Sequence, residues 1–313
     1  MLENNKLPVE VQKADMAMAD MTAGGVLVRD QRKRLMLVQI KGQVVMQRIR
    51  VTTMKRESEE IPQMTTFGTQ VWYPGAEATA LTLSQRSAPG FDKVTLTSKE
   101  VVCQVDFPRY VLNNQVELGG FKNTLITYLG LHTKRDFENL IINGDTTSTN
   151  TLLAMFDGMI AGATSNTYAA GAAALSTDVL DATTLTMPEE FDDDPDFAFF
   201  TNKVARSAYR KELGARSTPL GDANQTGSKL VEYDDIPVTK VPLFPNDLGG
   251  GSNETALMYL NPKRFVFAYH ENMEMNSEYN IRERTWTVVL TARIAQGYEY
   301  EPAVVKTTGI LGT

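Results

Sequence analysis

Between Arg109 and Asp145 the apolar residues Leu118, Phe121, Leu125, Tyr128, Leu129, Phe137, Leu140 and Ile141 recur at helical spacing. The period puts them on one stripe and leaves Lys122, Thr127, Lys134 and Glu138 outside it, so a long helix with one packed side is predicted. From Phe121 to Ile142 it would be about 33 Å long. It is expected to stop at Asn143-Gly144-Asp145, with Gly144 in a left-handed C-cap that a β-carbon would penalise and Asp145 opening a polar loop. A period of two appears elsewhere. Trp286, Val288, Leu290, Ala292 and Ile294 share one face between Ile281 and Ile294, with Arg282, Arg284, Thr285, Thr287, Thr291 and Arg293 as polar alternatives, which predicts a half-buried strand.

The remaining pattern is more broken. Residues 1 to 23 read as an arm with a short helical stretch from Val9 to Met21, ended by Gly24-Gly25. From Val26 to Val51, basic clusters (Arg29, Arg32, Lys33, Arg34) alternate with apolar runs rich in β-branched residues, favouring strand or a helix-to-strand passage. Thr52 to Ser98 reads as a long two-stranded excursion, with turns at Gly68, Pro74-Gly75 and Pro89-Gly90 and strands at Thr69 to Tyr73 and Phe91 to Thr97. Trp72 and Tyr73 lie near its turn. A long hairpin with exposed aromatics is expected to dock on another subunit, the alternative being that it folds back on its own domain. A second lobe from Thr146 to Tyr259 contains a short strand at Phe197 to Phe200, a helix from Asn202 to Leu213 and a Pro/Gly-rich loop through Ser252. The predicted class is α+β.

Composition narrows the function. The 313-residue chain has a net charge of -7, with pI near 5.1, which disfavours a surface built throughout to neutralise phosphates. Cys103 is the single cysteine, so no internal disulfide is possible, and its place in the VVCQV alternation predicts a buried thiol. No signal peptide or apolar run of membrane-spanning length is evident, so no membrane is expected.

Catalytic motifs are sparse. GDANQTGSK at Gly221 to Lys229 resembles a phosphate loop, but five residues separate its glycines and Ser precedes Lys. Glu189, Glu190, Asp192, Asp193, Asp194 and Asp196 could gather a divalent cation, although such runs are more often solvated loops. His132 and His270 have no ligand-spaced companions. No cofactor, metal or catalytic residue is therefore assigned.

The order of segments resembles the major capsid proteins of tailed bacteriophages with the HK97-type fold, over most of the chain. RDFENLIINGD at Arg135 to Asp145, followed by FDGM at Phe156 to Met159, resembles the end of the family's spine helix, and VVCQVDFPRYVLNN the strand feeding it. TAGGVLVRDQ, FDKVTLTSKE, DIPVTKVPLFP and LNPKRFVFAYHENMEMN fall where family members carry similar segments. The resemblance implies an N-terminal arm (1–43), an E-loop with flanking strands (44–98), a peripheral domain with a spine helix (99–145), an axial domain (146–259) and closing peripheral strands (260–313). Trp72, Tyr73, Pro74 and Arg86 would form the E-loop contact with a neighbour, and Phe121, Leu125, Tyr128, Phe137 and Leu140 the spine-helix packing.

Implied partners are further copies of the chain, in hexamers and pentamers, with scaffolding, portal and decoration proteins and non-specifically held double-stranded DNA. The implied location is the virion, after assembly in the host bacterial cytoplasm. Encapsulin nanocompartments share the fold and are the second reading; a metal-dependent hydrolase using Asp192 to Asp196 is a third. Some relatives cross-link subunits from an E-loop lysine to an asparagine. The stretch from Tyr73 to Phe91 has no lysine, so no cross-linking is expected, Lys55 and Lys93 being the nearest candidates, toward the hairpin's base. No helical scaffolding extension precedes the arm, so a separate scaffold or a removed segment is expected.

Overall fold

The computed structural model describes residues 44–64, 71–75, 77, 80–86, 90–109, 121–191, 194–215, 231–248 and 253–311. The arm, the Gly221 to Lys229 segment, Leu118, Asp192 and Asp193 lie outside them, as do the side chains of Phe121, Lys122 and Leu125. Two compact units are distinguished. One comprises Met1–Gln39, Asp106–Gly130 and Glu278–Thr287; the other comprises Ile40–Val105, Leu131–Ser277 and Val288–Thr313.

The predicted long helix is present as α1 (Phe121–Asn143). Its stripe is wider than the spacing suggested toward the C-terminus, where Phe137, Glu138, Leu140, Ile141 and Ile142 are all buried. Glu138, expected outside the stripe, is fully enclosed because it has backbone partners to satisfy it, described below.

Strands β1 (Arg50–Thr53), β4 (Lys99–Pro108), β10 (Phe265–Asn280) and β11 (Thr285–Tyr298) form a four-stranded sheet in the order β1-β10-β11-β4. The half-buried alternation expected for β11 is present, with Val288, Ala292 and Ile294 buried, although it begins at Thr285. Ile281 to Arg284 instead make the preceding turn, where Arg284 takes φ 57°. Cys103 on β4 is only half-buried, because alternate residues of that strand face solvent.

A six-stranded sheet forms the second lobe. It contains β5 (Asn166–Ala173), β6 (Ala198–Thr201), β7 (Glu232–Tyr233), β8 (Ile236–Lys240), β9 (Glu254–Leu260) and β12 (Val304–Leu311), in the order β5-β12-β9-β6-β8-β7. The chain beyond Leu260 thus contributes to both sheets, and β12 lies between β5 and β9, parallel to the first and antiparallel to the second. Fully buried β6 and β9 explain why their sequences, AFFT and ETALMYL, show apolar runs instead of alternation. Besides the short α2 (Met159–Gly162), two helices join this lobe, α3 (Thr177–Leu185) and α4 (Lys203–Gly214). Side-chain caps start both: Ser176 accepts from the Val179 amide, and Asn202 from the Ala205 amide at 2.6 Å. Val179, Leu180, Ala205 and Tyr209 pack with Phe199, Val238, Leu257, Tyr259 and Val305 in one apolar cluster.

The excursion is a hairpin of β2 (Ser58–Met64) and β3 (Phe91–Thr97), registered from Ser58 opposite Thr97 to Met64 opposite Phe91. The second strand has its expected bounds. The first was expected at Thr69 to Tyr73, but residues 71–73 are irregular, because the ladder is satisfied by the segment Ser58–Met64 earlier in the chain.

Candidate assembly surfaces

Three arrangements bear on function: a junction at the end of α1, the projecting hairpin, and the turn between β10 and β11.

At the junction, the RDFENLIINGD and FDGM motifs meet. Gly144 and Gly158 touch backbone to backbone, and the Gly158 amide donates to the Gly144 carbonyl at 2.8 Å. A β-carbon on Gly144 would stand 2.4 Å from the Phe156 carbonyl oxygen, and one on Gly158 would stand 2.7 Å from the Gly144 nitrogen. Close approach is therefore what demands glycine at 144, which is not among the positive-φ positions, so the expected left-handed cap is replaced by a packing requirement. Polar side chains complete the joint. Asp157 Oδ1 accepts from the Thr146 amide and hydroxyl, both at 2.9 Å, and Asp145 Oδ1 accepts from the Thr147 amide at 2.8 Å. Gln296 Nε2, from β11, donates to the Leu140 carbonyl at 3.0 Å, a second donor beside the Gly144 amide at 2.9 Å on this helix-end acceptor.

The same end of α1 carries a feature that sequence spacing missed. Glu138 Oε1 accepts from the backbone amides of Val44 and Val45 at 2.9 and 3.2 Å, while Oε2 is buried without a hydrogen-bond partner. Val44 and Val45 open a single helical turn, closed by the Arg48 and Ile49 amides on the Val45 carbonyl. Glu138 is therefore a capping carboxylate supplied from a remote helix. Burial pushes its carboxyl above the usual range, against the lowering effect of the two amides. A charged residue three positions before an apolar pair gives no signal that it points inward.

The hairpin's base packs into an apolar cluster, and several described side chains toward its far end are exposed. Leu96 and Met54 are buried with Val266, Ala268 and Ala295, and Ile61 and Val94 pack against that cluster. Beyond the ladder, Trp72 is 89% exposed and Leu83 84%, with Val71 and Leu81 also exposed, and Phe91 at the ladder's outer end is 76% exposed. Tyr73 is half-buried and Pro74 exposed. Arg86, expected at a neighbour, turns back on its own loop and donates from Nε to the Leu81 carbonyl at 3.2 Å. A short turn there is capped by Thr82, whose amide donates to Gln85 Oε1 at 3.0 Å. Lys93 pairs with Glu60 at 2.7 Å, and its place opposite Pro62 puts it in the outer half of the ladder instead of at the base.

At the β10–β11 turn, the Tyr279 and Trp286 rings lie 5.3 Å apart and the Arg109 guanidinium stands 5.9 Å from the Tyr279 centroid. Asn280 Oδ1 accepts from the Arg282 amide at 3.1 Å, and Ile281 at the apex is 79% exposed. Of the spine-helix residues, Phe137 and Leu140 are in the core and Tyr128 is half-buried.

Of the acids in the hydrolase reading, Asp192 and Asp193 lie outside the described residues, and the described Asp194 and Asp196 are engaged by their own subunit. Asp194 accepts from Asn261 Nδ2 at 2.7 Å and from Arg264 Nη2 at 3.3 Å, and Asp196 pairs with Lys263 at 2.6 Å. Among the described residues, no three His, Cys, Asp or Glu side chains are grouped to hold a metal ion. Nor is any described helix long and apolar enough to cross a membrane.

These elements, in this order, make the HK97-type fold. Its sequence is 27% identical over 301 residues to YqbE of Bacillus subtilis (strain 168), a protein named for a prophage capsid role, covering 95% of this chain and 96% of that one. Among solved structures, the capsid of a native GTA particle is similar with a TM-score of 0.68 and 14% identity, covering 92% of this chain and 98% of that one. Gordonia phage Cozz follows with a TM-score of 0.65 and 13% identity, covering 96% and 98%. The SrpI encapsulin of Synechococcus elongatus PCC 7942 gives 0.61 and 13%, also covering 96% and 98%. No family model matches the chain.

Proposed function

We propose that this chain is the major head protein of a phage-type particle, building a closed icosahedral shell from hexamers and pentamers of itself around double-stranded DNA. The observation that carries this reading is the full-length sequence similarity to a protein named for a prophage capsid role, joined to an exposed apolar hairpin of the kind a shell subunit lays on its neighbour. In this scheme residues 1–43 are the arm, 44–98 the E-loop region, 99–145 and 260–313 the peripheral domain and 146–259 the axial domain, except that β12 (Val304–Leu311) joins the axial sheet. Assembly takes place in the host cytoplasm with scaffolding and portal proteins, decoration proteins join the shell, and the virion is the destination. The role is structural, and no catalytic step is assigned. The net charge of -7 suits a wall that holds packed DNA without clamping it.

An encapsulin-like shell shares the fold and encloses protein instead of DNA. The phage reading is preferred because the similarity detected in sequence, as opposed to fold alone, is to a prophage protein.

Electron microscopy of the purified protein, with a scaffold co-expressed where needed, is expected to reveal closed shells; monomers under every assembly condition would overturn the reading. Trp72 supplies the sharper test. An aromatic anchor at an interface commonly contributes more than about 1 kcal/mol, so Trp72→Ala should reduce shell yield in sedimentation while the subunit keeps its circular dichroism. Equal loss of both would return Trp72 to a role inside its own subunit.

A further inference from the structure

We infer that the Glu301 carboxylate is an acid-released catch on β5: ionised, it ties the segment entering that strand to the segment entering β12, and protonated, it lets β5 loosen from the edge of its sheet.

The chain passes between the two sheets before β5, between β9 and β10, and between β11 and β12. Side chains stitch the last of these passages to the first. Tyr298 Oη donates to the Met159 carbonyl at 2.7 Å, Lys306 Nζ donates to the Ile160 carbonyl at 3.1 Å, and Asn166 Nδ2, from the other side, donates to the Pro302 carbonyl at 2.7 Å. Glu301 completes the seam. Its Oε1 accepts from the Thr164 amide at 2.6 Å and the Ser165 amide at 2.7 Å, and its Oε2 accepts from the Ser165 hydroxyl. Three donors converging on one carboxyl is an arrangement for an anion. Of the four stitches, Glu301 is the one whose charge changes on the acid side of neutrality.

Burial alone would raise the Glu301 carboxyl, but the bonds from the Ser165 hydroxyl and from the Ser165 and Thr164 amides outweigh it and hold the group below its usual range. The ionisable groups that feel its charge come from the two flanking strands. Burial lowers the Lys306 ammonium of β12 and Glu301 offsets part of that; burial raises the Tyr298 phenol of β11 and Glu301 adds to it. The chain neighbours Glu299 and Tyr300 are engaged elsewhere, with Arg50 and the Phe191 ring. Thr164, Ser165 and Asn166 bring no titratable side chain. A protonated Glu301 has an O–H where it had an acceptor, and it leaves Lys306 half-buried without that counter-charge.

The element that depends on the seam is β5. It is an edge strand with alternate side chains exposed, paired with β12 from Asn166 to Ala169 before the register shifts between Thr308 and Ile310. Gly171 and Ala172 then take left-handed backbone at φ 63° and 60°. A ladder this short gives its first residues little protection of their own. Because the folded value of Glu301 is lowered, the catch is fully closed above the ordinary glutamate value of about 4.3 and opens as pH falls through the lowered one.

Hydrogen exchange of the full-length unassembled subunit, read by mass spectrometry and corrected for the intrinsic pH dependence of exchange, tests the catch. At neutral pH, peptides spanning Gly162 to Ala169 should exchange about tenfold faster in Glu301→Gln than in the parent, the loss of one charged hydrogen bond, while peptides of β6 and β9 keep parental protection. As the parent is acidified from neutral to about pH 3, below the ordinary glutamate value, its protection over Gly162 to Ala169 should fall toward the variant's, and the variant's should stay level. If Glu301→Gln fails to fold, Ser165→Ala, which removes one of the three donors, takes its place at neutral pH with the same direction expected. Parental exchange in the variant, or a parent whose protection over this stretch holds until β6 and β9 open with it, would overturn the catch.

Discussion

Replacing Glu138 by alanine removes the acceptor for the Val44 and Val45 amides and leaves one part-buried and one buried donor without that partner. An unsatisfied buried amide costs about 1–3 kcal/mol, and relief of one desolvated charge offsets part of that, so a net loss of about 2–4 kcal/mol is expected. Urea unfolding of the unassembled subunit at neutral pH measures it directly. Glu138→Gln keeps an oxygen acceptor for the two amides and removes the ionisation. Burial raises the Glu138 carboxyl, so the folded state holds its proton more tightly than the unfolded chain does. The stability this contributes is fully present below the unfolded value, about pH 4, and is lost as pH rises through the raised folded value. The parent should therefore gain on the Gln variant as the solution is acidified from neutral. An Ala variant within about 0.5 kcal/mol of the parent, or a parent-to-Gln difference that does not change with pH, would refute the reasoning.

Other consequences are open to equally direct measurement. Gly158→Ala should lower stability by about 2 kcal/mol or more, since its β-carbon would sit 2.7 Å from backbone atoms, whereas Gly75→Ala, with nothing within 4 Å, should be neutral; thermal melts compare them. Asn202→Ala removes the cap on the Ala205 amide and should cost about 1 kcal/mol in chemical denaturation, with Asn202→Asp retaining most of it. Mature particles boiled in denaturant should run as one band near 34.7 kDa, because the hairpin beyond the ladder has no lysine and Lys93 is held by Glu60. A ladder of bands surviving reductant would contradict that.

What sequence made legible was local and periodic. The existence of α1 with its stop at Asn143, the alternation in β11 and the apolar run of β6 follow from local pattern, since each buries one continuous set of side chains. Long-range partnership was not legible. The choice of Ser58–Met64 over Thr69 to Tyr73 as partner for β3 depends on register between distant strands. The burial of Glu138 depends on amides a long way off in the chain, and the need for Gly144 depends on Gly158. The exposed aromatic of the hairpin was foreseen at Trp72, but the inward turn of Arg86 onto Leu81 was not, because an arginine in a loop has many acceptors to choose from.

The position of β12 carries a consequence for how the subunit is made. It is translated long after β5 and β9, yet it fills the gap between them. While the ribosome is still extending the chain, that sheet lacks an interior strand, and two rows of backbone hydrogen-bonding groups stand open. A polypeptide cut short before β12 therefore leaves the facing edges of β5 and β9 without their shared partner. Only a copy whose synthesis has passed Leu311 can close that sheet, so the lobe folds late however early its other strands emerge.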